Sequence, residues 1–300
     1  MSKFNISFVS KFPVSVVLSA VLVIGSLSLF FSKGLNYGVD FRGGAEIQVA
    51  FEKETQLEEL RSSLDANKFD SSSVQRIGSE SQNEFLVKVA SNEANLNQVT
   101  DQITKMLQKD FSDKGSEILK TDIVGPKAGE QLRISGFQAM AWALLMIMIY
   151  IALRFDYKYS PGAIVALLHD VIIIVGIFSL LGKEFSLQIV GALLAVIGYS
   201  VNDTVVVYDR VREHEEKYSS RTLKEQINGA LNETLTRTIL TSITTLIVAG
   251  VMYFMGGGII QDFFFAICIG VIVGTYSSIF VAAPTVLFFD KITGKKGDAA

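Results

Sequence analysis

Six runs along the chain are apolar enough and long enough to cross a membrane, for which a helix needs about 20 such residues. Each lies between charges: residues 12–32 between Lys11 and Lys33, 134–153 between Arg133 and Arg154, 159–182 between Lys158 and Lys183, 185–208 between Glu184 and Asp209, 238–261 between Arg237 and Asp262, and 263–289 between Asp262 and Asp290. We number them as spans one to six. The third contains His169 and Asp170, and the fourth contains Asp203. The first run is longer than a signal-peptide core and no small-x-small site precedes Lys33, so a retained anchor is expected.

Between spans one and two the hydrophobic period changes. Residues 45–52 alternate, with Ala45, Ile47, Val49 and Phe51 on one face and Glu46, Gln48 and Glu52 on the other, which predicts a half-buried strand. Residues 55–67 carry Leu57, Leu60 and Leu64 at helical spacing. Residues 73–78 and 84–90 read as short strands, 96–109 as a helix with Leu96, Val99, Ile103, Met106 and Leu107 on one side, and 117–124 as a last strand. The order β-α-β-β-α-β is that of a ferredoxin-like α+β domain. The fold class expected is therefore a polytopic α-helical membrane protein of six transmembrane helices, with one ferredoxin-like extracytoplasmic domain between helices one and two.

Composition sharpens this picture. The chain is 49% apolar and 19% charged, averages that a soluble protein could share. However, residues 33–133 hold 30 of the 57 charged side chains. That segregation excludes a soluble globular enzyme and a disordered chain. The single cysteine, Cys268, excludes a disulfide scaffold and reads as a small apolar filler. A net charge of −3 gives no reason to expect nucleic acid. Lys and Arg in the short connections fall almost wholly on one side. Lys3, Lys11, Arg154, Lys158, Arg210, Arg212, Lys217, Arg221, Lys224, Arg237, Lys291, Lys295 and Lys296 share it, and only Lys183 is opposite. By the positive-inside rule both termini are cytoplasmic. The expected layout is a cytoplasmic N-terminus with helix one over 1–32, a periplasmic domain over 33–133, helices two to six over 134–289 with a cytoplasmic loop at about 209–237, and a cytoplasmic tail over 290–300.

The chemistry-bearing residues lie mostly in the spans. A charge at the bilayer centre costs on the order of 3 kcal/mol, so such residues rarely face lipid. Asp170 lies roughly 18 Å from the cytoplasmic edge and Asp203 roughly 9 Å, by helical rise. Arg237 opens span five, level with Asp203. Thr234, Arg237, Thr238, Thr241, Thr244 and Thr245 recur at spacings of three and four and form one polar stripe. Ser200, Asn202, Asp203 and Thr204 form a cluster on span four. Carboxylates and hydroxyls lining a bundle describe a proton relay; a buried charge pair that holds helices together is the structural alternative. In the relay, ionised Asp203 attracts Arg237, and a proton arriving at Asp203 releases that attraction. His169 is either part of the relay or a polar neighbour packed against Asp170. Asp209, Arg210, Arg212 and Glu213 read as a solvated helix end. Gly270 and Gly274 form a Gly-x-x-x-Gly packing motif. Gly38-Val39-Asp40-Phe41-Arg42-Gly43-Gly44, at the junction of span one and the domain, is either a turn or a docking hinge. The soluble domain carries no HxxH, Cys, Gly-x-Ser-x-Gly or P-loop, so no metal, cofactor or catalytic group is expected.

These residues match a family pattern. The Gly38–Gly44 run resembles the signature that follows the first span in the SecD/SecF family. Leu168-His169-Asp170 resembles its third-span motif, residues 198–210 (Gly-Tyr-Ser-Val-Asn-Asp-Thr-Val-Val-Val-Tyr-Asp-Arg) its fourth-span block, and Thr234-Leu235-Thr236-Arg237-Thr238 the start of its fifth span. The match covers nearly the whole chain in order, and a domain of about 100 residues favours the SecF branch. The resemblance implies membership of the resistance-nodulation-division superfamily and an accessory, non-enzymatic role in Sec protein export across the cytoplasmic membrane. It implies a six-span SecD partner, the SecYEG channel, YajC and exported polypeptide as partners, and the proton-motive force as energy source. It places the family's proton-pathway residues on Asp203 and Arg237. The rival expectations are a small-molecule or lipid exporter subunit of the same superfamily and a passive channel-stabilising scaffold. An intramembrane aspartyl protease would need Gly-x-Gly-Asp on another span, and the sequence has none.

Overall fold

The computed structural model describes residues 5–67, 69, 72–77, 83–90, 96–155 and 158–293. Of the features expected above, Lys3, Gly78, Lys295, Lys296 and most of the 290–300 tail lie outside the described residues.

Among the described residues, six helical segments are long and apolar enough to cross a membrane. Helix α1 spans Phe12–Lys33, preceded by a single 3-10 turn at Val9–Lys11. Helix α5 spans Pro126–Arg154, α6 Ser160–Leu181, α7 Leu187–Lys217 and α8 Leu223–Met255. The last span is interrupted: α9 covers Gly258–Ser277, a π turn covers Ser278–Ala282, and α10 covers Ala283–Thr293. Helix α7 is central and packs against α5, α6, α8 and α9.

Two boundaries differ from the hydrophobic pattern. Helix α5 begins eight residues before its apolar run, because Pro126 at its first position is preset for a helix and lacks only an N–H that would be unpaired there. The expected cytoplasmic loop over about 209–237 is instead almost wholly helical, and only residues 218–222 break it. The charges mark the end of the apolar stretch but not of the helix. Arg210 bonds Glu213 on its own helix and Glu233 across the hairpin. A capping box closes the start of α8, where the Thr222 hydroxyl accepts from the Glu225 N–H and the Glu225 carboxylate accepts from the Thr222 N–H.

Between α1 and α5 come β1 (Asn36–Tyr37), the one-turn helix α2 (Val39–Arg42), β2 (Gly44–Phe51), α3 (Leu57–Ala66), β3 (Ser72–Ile77), β4 (Glu84–Ala90), α4 (Leu96–Asp110) and β5 (Ser116–Val124). The last four strands form an antiparallel sheet in the order β3-β4-β2-β5. Its core is the alternating face expected from sequence: Ile47, Val49 and Phe51 pack with Leu60, Leu64, Phe85, Val87, Ile103 and Leu107. On the other face, Lys88 of β4 reaches Glu184 in the connection between α6 and α7, while β5 is largely exposed. Strand β1 pairs in parallel with β6 (Glu184–Phe185), the short strand between α6 and α7. Neither of these two-residue strands is visible as a period in the sequence.

Candidate functional site

The glycine run after α1 is a joint. Gly43 and Gly44 have φ of +86° and +151°, angles that a side chain disfavours. A Cβ on Gly43 would stand 2.7 Å from the Pro126 Cα, and one on Gly44 2.2 Å from the Val89 carbonyl oxygen. The run therefore wedges between the start of α5 and strand β4. Asp40 Oδ2 accepts from the Leu187 N–H at 3.1 Å and so caps α7 from outside that helix. Lys88 on β4 is 4% exposed and lies between Glu184 (2.9 Å) and Glu46 (3.3 Å). Gly38 is pressed against Glu184, where a Cβ would come within 2.4 Å of Oε1. A cavity of about 330 Å³ opens here, lined among others by Arg42, whose side chain is exposed, and by Lys88 and Glu184.

The second constellation lies inside the bundle, where α6, α7, α8 and α9 meet. Asp170 is 1% exposed. Its Oδ2 accepts from Ser200 Oγ on α7 (2.6 Å) and Ser277 Oγ on α9 (2.8 Å), and His169 Nδ1 stands 3.0 Å from its Oδ1. The His169 ring stacks on Tyr276, and its Nε2 is buried without a hydrogen-bond partner among the described residues. Asp203 is 8% exposed. It accepts from Thr238 Oγ1 on α8 (2.6 Å) and Ser278 Oγ at the π turn (2.5 Å). Gly270 and Gly274 bring α9 onto α7 at this level: a Cβ on Gly270 would meet Val196 at 2.2 Å, and one on Gly274 would meet Ser200 at 3.1 Å.

Several expectations are altered. The attraction between Asp203 and Arg237 is not made. Successive helical positions diverge by about 100°; Thr238 takes the inward position, and Arg237 is exposed and forms no ion pair among the described residues. The threonine stripe straddles the edge of the bundle. Thr234 and Thr238 are buried and Thr244 is exposed, while the hydroxyls of Thr234, Thr241, Thr244 and Thr245 return to carbonyls of their own helix. Asn202 is exposed and Thr204 buried. Consecutive residues of one helix reach both acids, so the carboxylates are closer in depth than the roughly 9 Å that counting from each charged end implies. The charges used for that count are not level, because α7 runs on past Asp209. Asp209 and Arg210 lie at the far end of α7 in half-exposed ion pairs, Asp209 with Arg154 (3.3 Å) and Arg210 with Glu233 (2.6 Å). Ser277 and Ser278 escaped sequence reasoning. Their signal is a short hydroxyl run, Thr275-Tyr276-Ser277-Ser278, in an uncharged span.

The comparisons with known proteins agree with this architecture. Residues 102–292 match the family model for protein export membrane protein SecD/SecF, C-terminal, and residues 28–55 match the SecD/SecF GG motif. The protein translocase subunit SecF of Desulfurispirillum indicum is 41% identical over 292 residues, 95% of this chain and 92% of the relative. That of Rhodothermus marinus is 39% identical over 94% of this chain and 92% of the relative. The crystal structure of SecDF, a translocon-associated membrane protein from Thermus thermophilus, superposes with a TM-score of 0.82 at 33% identity. It covers 97% of this chain, which spans 39% of that longer one. With family model, relatives and fold in agreement over nearly its whole length, the chain belongs to the SecD/SecF family of protein-export membrane proteins.

Proposed function

We propose that this multi-pass membrane protein is an accessory subunit of the Sec translocase that, with a SecD partner, uses the proton-motive force to complete protein export, and that Asp203 accepts the coupling proton. One observation carries the reading. Asp203 is buried within an apolar bundle, held by two neutral hydroxyls and by no counter-charge among the described residues. An ionised carboxylate is expensive in such a place, and a proton relieves the cost. Asp170 with His169 forms the second station, linked to α7 through Ser200. Each charge crossing the membrane potential is worth about 2.3 kcal/mol per 100 mV.

Arg237 supports a partner. A guanidinium at the edge of a span that has no ion pair among the described residues, with Asn202 and Thr244 also turned outward, is unsuited to lipid. A second six-span chain covers this face of α7 and α8 and presents a carboxylate to Arg237. The SecDF chain similar to this one continues well beyond the matched part, which is the length such a partner needs. The antiparallel order β3-β4-β2-β5 supports a ferredoxin-like domain. The one-sided distribution of Lys and Arg supports placing that domain outside the cytoplasm, with both termini inside. There the domain meets polypeptide leaving SecYEG, with YajC a further partner that the family resemblance brings in.

The test uses inverted vesicles carrying the complex. Preprotein release is followed with and without a proton gradient, for the wild type and Asp203→Asn. Gradient-dependent release should vanish in the variant while assembly with the partner persists. Equal release from both would make Asp203 a structural group and leave a passive scaffold as the function.

A further inference from the structure

The last span is α-helical up to Ser277 and then widens into a π turn at Ser278. At that point two consecutive residues, both fully buried, reach carboxylates on two different helices: Ser277 bonds Asp170 on α6 and Ser278 bonds Asp203 on α7. Each serine hydroxyl also has a second acceptor on its own helix. Ser277 Oγ lies 3.1 Å from the Gly274 carbonyl oxygen, and Ser278 Oγ 3.1 Å from that of Thr275. A hydroxyl has one proton to give. While the acid is ionised, that proton is held by the carboxylate. Once the acid binds a proton it becomes a donor itself, and the serine proton turns to the helix carbonyl while its oxygen accepts. In both states the serine hydroxyl and the acid stay bonded to each other, so neither is orphaned by the proton's arrival. Single-turn π segments recur at functional sites; here successive side chains at the turn reach different helices.

We infer that Ser277 and Ser278 are positioning residues that set the proton affinities of Asp170 and Asp203 separately, giving the bundle two individually tuned proton sites. The inference rests on the reading of Asp203 as a proton acceptor. The titratable and charged groups around the pair are few. Asp170 faces His169, with Tyr276 of α9 stacked against that ring. Around Asp203, α8 turns Thr238 inward and Arg237 outward, the π turn presents Ser278, and Tyr208 of α7 is occupied with the Ala282 carbonyl.

Carbodiimide modifies buried carboxyls only when they are protonated. The extent of labelling of each aspartate against pH, read by peptide mass spectrometry on the assembled complex in membranes, therefore yields two midpoints. Removing a hydroxyl that donates to an ionised carboxylate should raise that acid's midpoint by about one to two pH units. Ser278→Ala should move Asp203 and leave Asp170 in place, Ser277→Ala should do the reverse, and Ser278→Thr should restore the wild-type midpoint. An Asp203 midpoint unmoved by Ser278→Ala, or both midpoints moved together by either variant, overturns the inference while leaving Asp203 as proton acceptor. A wild-type Asp203 that never becomes reactive at any accessible pH overturns that reading, and this inference with it.

Discussion

Gly43 illustrates how much one missing side chain does in this protein. Its φ of +86° and the 2.7 Å approach to the Pro126 backbone leave no room for a methyl group. Gly43→Ala should cost about 1–3 kcal/mol in the folded chain, seen as a lower midpoint in thermal unfolding of the purified complex and faster amide exchange in the first turn of α5. The same residue scale explains what was legible at the bundle site. Asp170 and Asp203 stand out in sequence because a carboxylate in an apolar run is rare. Ser200 and Thr238 belonged to polar clusters visible in the sequence, but Ser277 and Ser278 do not stand out, because serine and threonine are common in membrane helices, and only three-dimensional packing separates Ser278, which bonds an acid, from Thr244, which bonds its own backbone. The inward turn of Thr238 at the expense of Arg237 was hidden for a related reason: a stripe at spacings of three and four defines a face but not its rotation.

Among elements, the long hairpin of α7 and α8 departs most from the hydrophobic pattern. The pattern detects where apolar side chains stop, whereas the helix persists as long as backbone bonds, caps and ion pairs sustain it. Thr222→Ala removes the capping box and should cost about 1 kcal/mol, read as faster hydrogen exchange at the start of α8 with the buried part of the helix unaffected. Strand β2 was legible almost to the residue because its period-two alternation is enforced by one buried face. The pair β1–β6 was not, since two residues are too few to express a period and the two strands lie far apart in the chain.

At the scale of the whole molecule, the sheet domain is fastened to the bundle through Lys88. Burial disfavours its charge, yet Glu184 and then Glu46 outweigh that and hold the ammonium above the ordinary lysine value of 10.5. A raised lysine stabilises the fold below 10.5 and loses that contribution as pH rises through its folded value. Glu46, the more distant partner, is pushed by burial above the usual 4.5 despite the lysine, so its own contribution is present in acid and is lost as pH rises through its folded value. The attachment should therefore hold well past neutral pH and loosen only beyond about 10.5. Lys88→Met leaves two facing carboxylates 15% and 14% exposed without their cation, a loss of about 3–5 kcal/mol. Spin-label distances between β4 and the α6–α7 turn should broaden at neutral pH in that variant and sharpen again in acid, whereas wild-type distances stay narrow at both. At the opposite end, the first described residues are clasped by a helix made far later: the Ile6 N–H bonds Asn232 Oδ1 (2.7 Å), Asn232 returns a bond to the Ile6 carbonyl (2.8 Å), and the Phe8 N–H bonds Asn228 (2.8 Å). This orders the protein's biosynthesis. Helix α1 also packs on α6, where the Ser179 hydroxyl bonds the Leu29 carbonyl, and α6 is translated before α8, so this anchor has a helix neighbour along its length before the polar clasp at its start can close.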